Sequence, residues 1–166
     1  MSEMQLHRRA AFALSVPLLE FLGVSLVDEE DPASGLSLIP QGNALNALGA
    51  PHAGALSTVL ELAAYLALLP QLADGEEAVT HQISASYLAR AEGGAALIAK
   101  GDVLRRTRQL AFVSTSLRQE DRLLAMAQVT KSIFTGLRAA AVPLSRESGS
   151  VGTPNSVRRS RGKSRW

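Results

Sequence analysis

The chain has 166 residues, 46% hydrophobic and 19% charged, which suits one globular domain with its own core and excludes a largely disordered chain. The absence of cysteine excludes disulfide frameworks and thiolate metal sites, and it is compatible with the cytoplasmic location that we predict. The net charge of +2 is the sum of a net charge of +5 in residues 143–166 and a net charge of −3 in residues 1–142. No nucleic-acid-binding surface is therefore expected on the folded part.

The N-terminus predicts an amphipathic helix over residues 5–21, in which Pro17 introduces a kink. Arg8 and Arg9 precede a short apolar run, which is also a feature of signal peptides. Because Pro17 and Glu20 interrupt that run and no clean cleavage site follows, we interpret the segment as part of the mature protein.

The next segments predict two short strands and one long apolar helix. The strands lie near residues 24–28 and 36–40, on either side of an acidic turn that contains proline and glycine. A loop over residues 41–51 leads into the helix, residues 53–69, which Pro70 ends.

The following part of the chain alternates apolar and polar residues with the period of two that is typical of strands. Strands are predicted within residues 78–91, 95–104, 107–117 and 122–134, with turns at 92–94 and 118–121. Because short turns join these strands, we predict an antiparallel meander.

This order of elements predicts an α+β domain over residues 1–142, in which a curved antiparallel sheet wraps around one long central helix. Residues 53–69 are marginal in length for a membrane span and carry Glu61 at their centre, so a buried core helix is favoured and no membrane is expected. Residues 143–166, rich in serine, glycine and arginine, predict a disordered basic tail. A solvated extension is favoured there over contact with a polyanion.

Glu61 is the one charged residue of the central helix, and it shares a polar stripe with Ser57, Thr58 and Tyr65. A solvated helix edge is one interpretation of this stripe. Against it, such an edge normally carries several charges, including lysine or arginine. A carboxylate in an apolar cleft binds a proton more tightly than one in water, which suits a general base.

Polar groups also collect just ahead of this helix, where Asn46 and His52 lie in a glycine-containing loop. Free backbone N–H groups at a helix start attract an anion or a developing oxyanion. Oxyanion donors combined with a carboxylate further along the helix are typical of acyl transfer.

The segment "LNALGAPHAGALSTVLELAA" resembles the signature of the PaaI-like hotdog-fold acyl-CoA thioesterase family. That signature has Asn, two residues, Gly, two residues, His-Gly-Gly, and an Asp or Glu nine positions after the His. Asn46, Gly49, His52, Gly54 and Glu61 fall on these spacings. The later strands resemble the family too, so that the resemblance covers about residues 5 to 135.

The resemblance implies a hotdog fold and hydrolysis of an acyl-CoA thioester to free acid and coenzyme A. It gives Glu61 the role of general base or nucleophile, and the N–H of Ala53 that of an oxyanion donor. His52 and Asn46 would position the carbonyl and the water or carboxylate, and Gly54 would belong to the substrate-binding loop. Ala53 departs from the family's His-Gly-Gly, and Glu61 is longer by one methylene than the more usual Asp.

The resemblance also implies an active site shared across a homodimer, with homotetramers common, in which Thr80 would come from the facing subunit. Arg105 and Arg106 could meet the phosphates of coenzyme A, although solvated strand-end arginines are an equal alternative. No metal and no cofactor besides coenzyme A, as part of the substrate, are expected. Two alternatives stay open at this point: binding of an acyl ligand without turnover, and dehydration of a hydroxyacyl thioester.

Overall fold

The structure, a computed structural model, describes residues 1–92 and 94–136, so the predicted domain boundary at residue 142 and the predicted tail lie outside the described residues. The N-terminal segment forms two helices rather than the predicted single one: α1, Glu3–Leu14, and α2, Pro17–Leu22. The break has a local cause, because Pro17 cannot donate the helical hydrogen bond of an interior residue and instead takes the first position of α2.

The central helix α3, Ala53–Leu68, forms the middle of the core. His52 caps its first turn, and a 3-10 turn at Leu69–Gln71, which contains Pro70, ends it. By length and composition, residues 53–71 are apolar enough to cross a membrane, but 56% of their most apolar stretch is buried inside the protein. They therefore behave as a core helix, because the leucines and alanines of α3 pack against β4, Leu97–Arg106, and β5, Leu110–Gln119.

One antiparallel sheet of six strands surrounds α3 in the described part of the chain, in the order β1-β2-β4-β5-β6-β3. The remaining strands are β1, Ser25–Leu26; β2, Leu36–Leu38; β3, Glu76–Tyr87; and β6, Arg122–Thr135. Register shifts within three of the strand pairs help the sheet to curve. The predicted α+β class, with a curved antiparallel sheet around one long helix, is confirmed.

The prediction of a simple meander is wrong for β3, which pairs with β6 instead of with β4. After β3, the backbone N–H groups of Leu88 and Ala89 still bond to Leu124, and Glu92 exchanges two hydrogen bonds with the side chain of Gln119. The chain thus passes around the end of the β5–β6 hairpin before it enters β4. The other edge of β4 is occupied by β2, so no free edge remains there for β3.

Gly101 allows the helix and the sheet to approach closely. A Cβ atom at this position would lie 2.6 Å from the backbone oxygen of Ala63 and 2.8 Å from the Cβ of Ala67, both on α3. No side chain fits at such distances, so glycine is required where β4 crosses the helix.

Strand β3 is a long edge strand of this sheet. It spans 12 residues, pairs with β6 along one side and has no strand beside its other side within the described residues. Val79, Ile83 and Tyr87 are all substantially exposed on it. A long edge with exposed apolar side chains is a surface on which a second strand pairs readily.

Candidate active site

Glu61 lies midway along α3, and two side chains hold its carboxylate. Thr80 Oγ1, on β3, and Lys131 Nζ, on β6, both donate hydrogen bonds to Glu61 Oε1. Lys131 Nζ also donates to Thr80 Oγ1 at 2.9 Å, which closes a triangle of contacts. Within the described residues Oε2 of Glu61 has no hydrogen-bond partner, so this oxygen is the one available for chemistry.

Lys131 is the cation of this cluster, and the sequence analysis missed it. Its residue exposure is 1%, whereas lysine is almost never fully buried unless it is paired. Burial lowers the pKa of Lys131, and the charge and hydrogen bond of Glu61 oppose that shift. Its ammonium also lies 5.6 Å from the centre of the Tyr65 ring, within the range of a cation–π contact.

A signal for Lys131 was present in the alternation of β6. The positions of this strand that face the core include Ala127, Val129 and Ile133, and Lys131 falls on the same face. A lysine on the apolar face of a strand needs an acidic partner in the core, and Glu61 was the available candidate.

Glu61 lines a cavity of about 760 Å³ between the N-terminal helices, α3 and β3. Its walls are mainly apolar and include Phe12, Ala13, Leu62 and Val79. The side chain of Glu61 is 35% exposed and opens into this space. Glu61 is therefore better described as a carboxylate on the wall of a cavity than as part of a solvated helix edge.

The helix start presents exposed backbone groups. His52 Nδ1 accepts a hydrogen bond from the N–H of Gly54 at 3.0 Å, and Tyr87 donates to the backbone oxygen of Ala53 at 2.9 Å. Tyr87 also contacts the hydroxyl of Ser57. Nothing in the described part of the chain accepts a hydrogen bond from the N–H of Ala53, and the residue is exposed. This N–H is thus a free donor at the positive end of α3.

Asn46 shapes the loop that leads into α3. Its side-chain oxygen accepts hydrogen bonds from the N–H groups of Leu48 at 2.9 Å and Ala50 at 3.2 Å. Gly49, between them, has a φ of 70°, which favours glycine. Asn46 and Ala53 line a second cavity, of about 430 Å³, together with Tyr87 and other residues of the loop and strand end.

The structure divides the predicted site residues into two groups. Ala53 and Glu61 are eight residues apart on one helix, and a rise of 1.5 Å per residue separates them by about 12 Å. One thioester carbonyl cannot reach both within a single chain. Thr80 lies in the same chain as Glu61, because its position on β3 is paired directly with Lys131. Thr80 thus groups with Glu61, and the expectation that Thr80 comes from the subunit that faces the rest of the site stays a prediction.

Arg105 and Arg106 lie at the end of β4, and neither lines the two cavities described above. Arg106 forms an ion pair with Glu76, while Arg105 is exposed. The hydrogen bond from the backbone N–H of Ala73 lowers the pKa of Glu76 below its usual value. The contact with Arg106 makes a smaller contribution in the same direction. Arg106 is therefore engaged in the fold, and the contact of either arginine with coenzyme A stays a prediction. No group of three His, Asp or Glu side chains suited to a metal lies within residues 1–92 and 94–136.

The segment that holds this site matches a known protein family. Residues 43–132, more than half of the chain, match the family described as the acyl-CoA thioesterase N-terminal domain. The chain belongs to the acyl-CoA thioesterase family. The matched segment includes the Asn46 loop, α3 and the strands that carry Thr80 and Lys131. A comparison with curated proteins finds no match.

Solved structures confirm the PaaI-like hotdog fold of this thioesterase family member. A phenylacetic acid degradation-related protein from Ralstonia eutropha is 25% identical, with a TM-score of 0.63 and coverage of 76% of this chain and 98% of that one. The PaaI protein of Escherichia coli is 18% identical, with a TM-score of 0.69 and coverage of 81% and 98%. A protein from Bacillus halodurans, solved with CoA, is 20% identical, with a TM-score of 0.64 and coverage of 79% and 87%.

The contacts of Asn46 predict that Asn46→Ala destabilises this thioesterase. The substitution leaves two loop N–H groups without their acceptor, and we expect the free energy of unfolding to fall by about 1–3 kcal/mol in urea titrations. Asn46→Asp retains the acceptor oxygen and is the matched control. If Asn46 instead acts on the substrate through its NH₂ group, Asn46→Asp will keep its stability and lose activity.

Proposed function

We propose that the protein hydrolyses an acyl-CoA thioester to a free acid and coenzyme A, with Glu61 as general base. The observation that carries the proposal is the carboxylate of Glu61 on the wall of a mainly apolar cavity, held through Oε1 and free at Oε2. Membership of the acyl-CoA thioesterase family supports the reaction class. The neighbour solved with CoA is consistent with coenzyme A as the thiol.

In the proposed reaction, Oε2 of Glu61 takes a proton from water as the oxygen of that water attacks the thioester carbonyl. The carbonyl oxygen becomes an oxyanion, which the N–H of Ala53 stabilises at the start of a helix. The carbon–sulfur bond then breaks, the carbonyl forms again, and the thiolate of coenzyme A recovers the proton from Glu61. The acid and the thiol leave, and Glu61 returns to its ionised state.

We infer that two copies of the chain supply the two halves of this site, because one helix holds Ala53 and Glu61 about 12 Å apart. The free edge of β3 suggests how the copies meet. Tyr87 donates a hydrogen bond to the start of α3, and Thr80 donates one to Glu61. The two halves of the site therefore contact β3 at different points. Antiparallel pairing of two β3 edges about a centre between Thr80 and Tyr87 brings the helix start of one copy to Glu61 of the other. A homodimer, or a homotetramer built from such dimers, follows.

The cavity beside Glu61 is the proposed place of the acyl group. Its volume lies within the range of about 300–1,000 Å³ that is usual for small-ligand sites, and its walls are mainly apolar. Phe12, Ala13 and Leu62 would contact the acyl group, while the thioester lies at Glu61. The walls favour an uncharged acyl group of at least medium size over acetyl.

A second candidate function is binding of an acyl-CoA without turnover. The observation that favours it is the contact between Lys131 and Glu61, which already compensates the charge of the carboxylate. The methyl group of Ala53, in the position of the family's glycine, would also crowd the thioester. Turnover and its dependence on Glu61 separate the two functions.

The proposed role of Glu61 predicts that Glu61→Gln abolishes most of the thiol release from a panel of acyl-CoAs. General acid–base catalysis contributes about 10²–10⁴-fold, and we expect a loss of that size in kcat with little change in acyl-CoA binding. Thiol release is followed with a chromogenic thiol reagent, and binding is followed by calorimetry.

Glu29→Gln, at an exposed position of a loop, is the matched control and should retain the wild-type rate. Because Glu61→Gln leaves Lys131 buried without a counter-charge, the double variant Glu61→Gln/Lys131→Met is measured beside it. Equal rates for wild type and Glu61→Gln would contradict the proposed mechanism. Binding without turnover in the wild type would support the second function.

The proposed acyl cavity predicts that Ala13→Phe restricts the protein to shorter acyl groups. A phenyl ring at this position fills part of the cavity, so kcat/KM for the longest substrates should fall by about 10- to 200-fold, while that for short acyl-CoAs changes little. Ala11→Phe, on the exposed face of the same helix, is the matched control. A uniform loss for all chain lengths would place the acyl group elsewhere.

A further inference from the structure

Lys131 occupies a position that neither the family signature nor the reaction outlined above explains. It lies on β6, between Thr80 of β3 and Ala111 of β5, on the face that turns toward α3. Only 2% of its side chain is exposed, against 35% for that of Glu61. The buried partner of this ion pair is thus the lysine, and the carboxylate is the partner that reaches the cavity.

The energetics of the pair argue against a purely structural role. Removing two charges from water costs several kcal/mol per ion, and apolar residues of similar volume often stabilise a core equally well. The lowered pKa of Lys131 is a sign of that desolvation cost. This ion pair adds little stability and lies at the wall of a ligand-sized cavity. Its position indicates a role in the reaction.

Lys131 is the cation in direct contact with Glu61 among the residues that the structure describes. The other ionisable groups around the same cavity are Arg8 and Arg9 of α1, Tyr65 of α3, Asp74, Glu77 of β3 and the N-terminal amine. Arg9 is paired with Glu77 at 2.8 Å, and the amine lies 3.6 Å from Asp74. Each of these two pairs joins one positive and one negative charge, and Arg8 is exposed. Lys131 is therefore the cation best placed to act on Glu61.

The geometry of the contact separates the two carboxylate oxygens. Thr80 and Lys131 both bind Oε1, and this fixes the rotation of the carboxylate about its terminal bond. Oε2 is then directed away from the lysine and carries the free lone pairs. The same contact thus determines which carboxylate oxygen is available in the cavity.

We propose that Lys131 is a positioning residue, which holds Glu61 by Oε1 so that Oε2 accepts the proton of the attacking water. The inference rests on the proposed function, in which Glu61 is the base. The ammonium of Lys131 keeps its own protons throughout, because the proton from water moves to Oε2 and from there to the leaving thiolate.

The test is the comparison of kcat and KM for wild type, Lys131→Met and Lys131→Gln, measured by thiol release. We expect kcat to fall in both variants while KM changes little, because a misoriented carboxylate impairs the reaction and not the binding of the substrate. Lys131→Gln keeps a donor for Oε1 and should retain more of kcat at the pH optimum than Lys131→Met.

The matched control is Lys100→Met, which removes an exposed lysine from β4 and should leave kcat and KM unchanged. Thermal unfolding shows that each variant is folded, and Lys131→Gln replaces Lys131→Met if the latter is not. Wild-type kcat values in both Lys131 variants would overturn the inference and leave the proposed function intact. A wild type without turnover of any acyl-CoA would overturn both.

Discussion

The spacing of two groups on one rigid helix constrains every other part of this site. The N–H of Ala53 is a free donor at the start of α3, and Glu61 lies eight residues further along the same helix. An α-helix holds such groups about 12 Å apart, whatever the surrounding side chains do. The donor and the base can act on one carbonyl only if a second copy brings its helix start to Glu61. The exposed helix start, the opening of the cavity and the edge of β3 that has no neighbouring strand in the described part of the chain fit this arrangement.

The second constraint acts within one chain, where the sheet fixes the carboxylate. Glu61 comes from the helix, Thr80 from the edge strand and Lys131 from the strand beside it. The register between β3 and β6 places Thr80 opposite Lys131, and a shift of β3 by one residue would turn Thr80 away from the helix. The site thus depends on sheet register as much as on residue identity. This dependence links the fold to the proposed chemistry.

Several features were predictable from the sequence, because they depend on local patterns. The helix limits near residues 53 and 69 followed from an apolar run that ends at Pro70, and the strands of the second half followed from their alternation. The importance of Glu61 followed from its isolation on an apolar helix and from the spacing of the family signature. The same signature predicted a hotdog fold, which the comparisons confirm.

Other features depend on contacts between distant segments, and the sequence analysis missed them. The pairing of β3 with β6 is set by which edges of the curved sheet are already occupied, which short turns and alternation do not encode. The same pairing brings Lys131 beside Thr80 and Glu61. The two hydrogen bonds of Asn46 within its own loop likewise depend on the conformation around Gly49.

The most direct test of a site shared between two copies is subunit complementation with Glu61→Gln and Ala53→Pro. Proline is well tolerated at the first position of a helix and removes only the N–H there, and the φ and ψ of His52, −69° and 134°, suit a following proline. Each variant alone should be almost inactive. When the two are co-expressed, random pairing gives mixed dimers with one intact site, and the account predicts recovery of about a quarter of the wild-type rate of thiol release. Mixed dimers without any recovery, from two variants that are each folded, would contradict it.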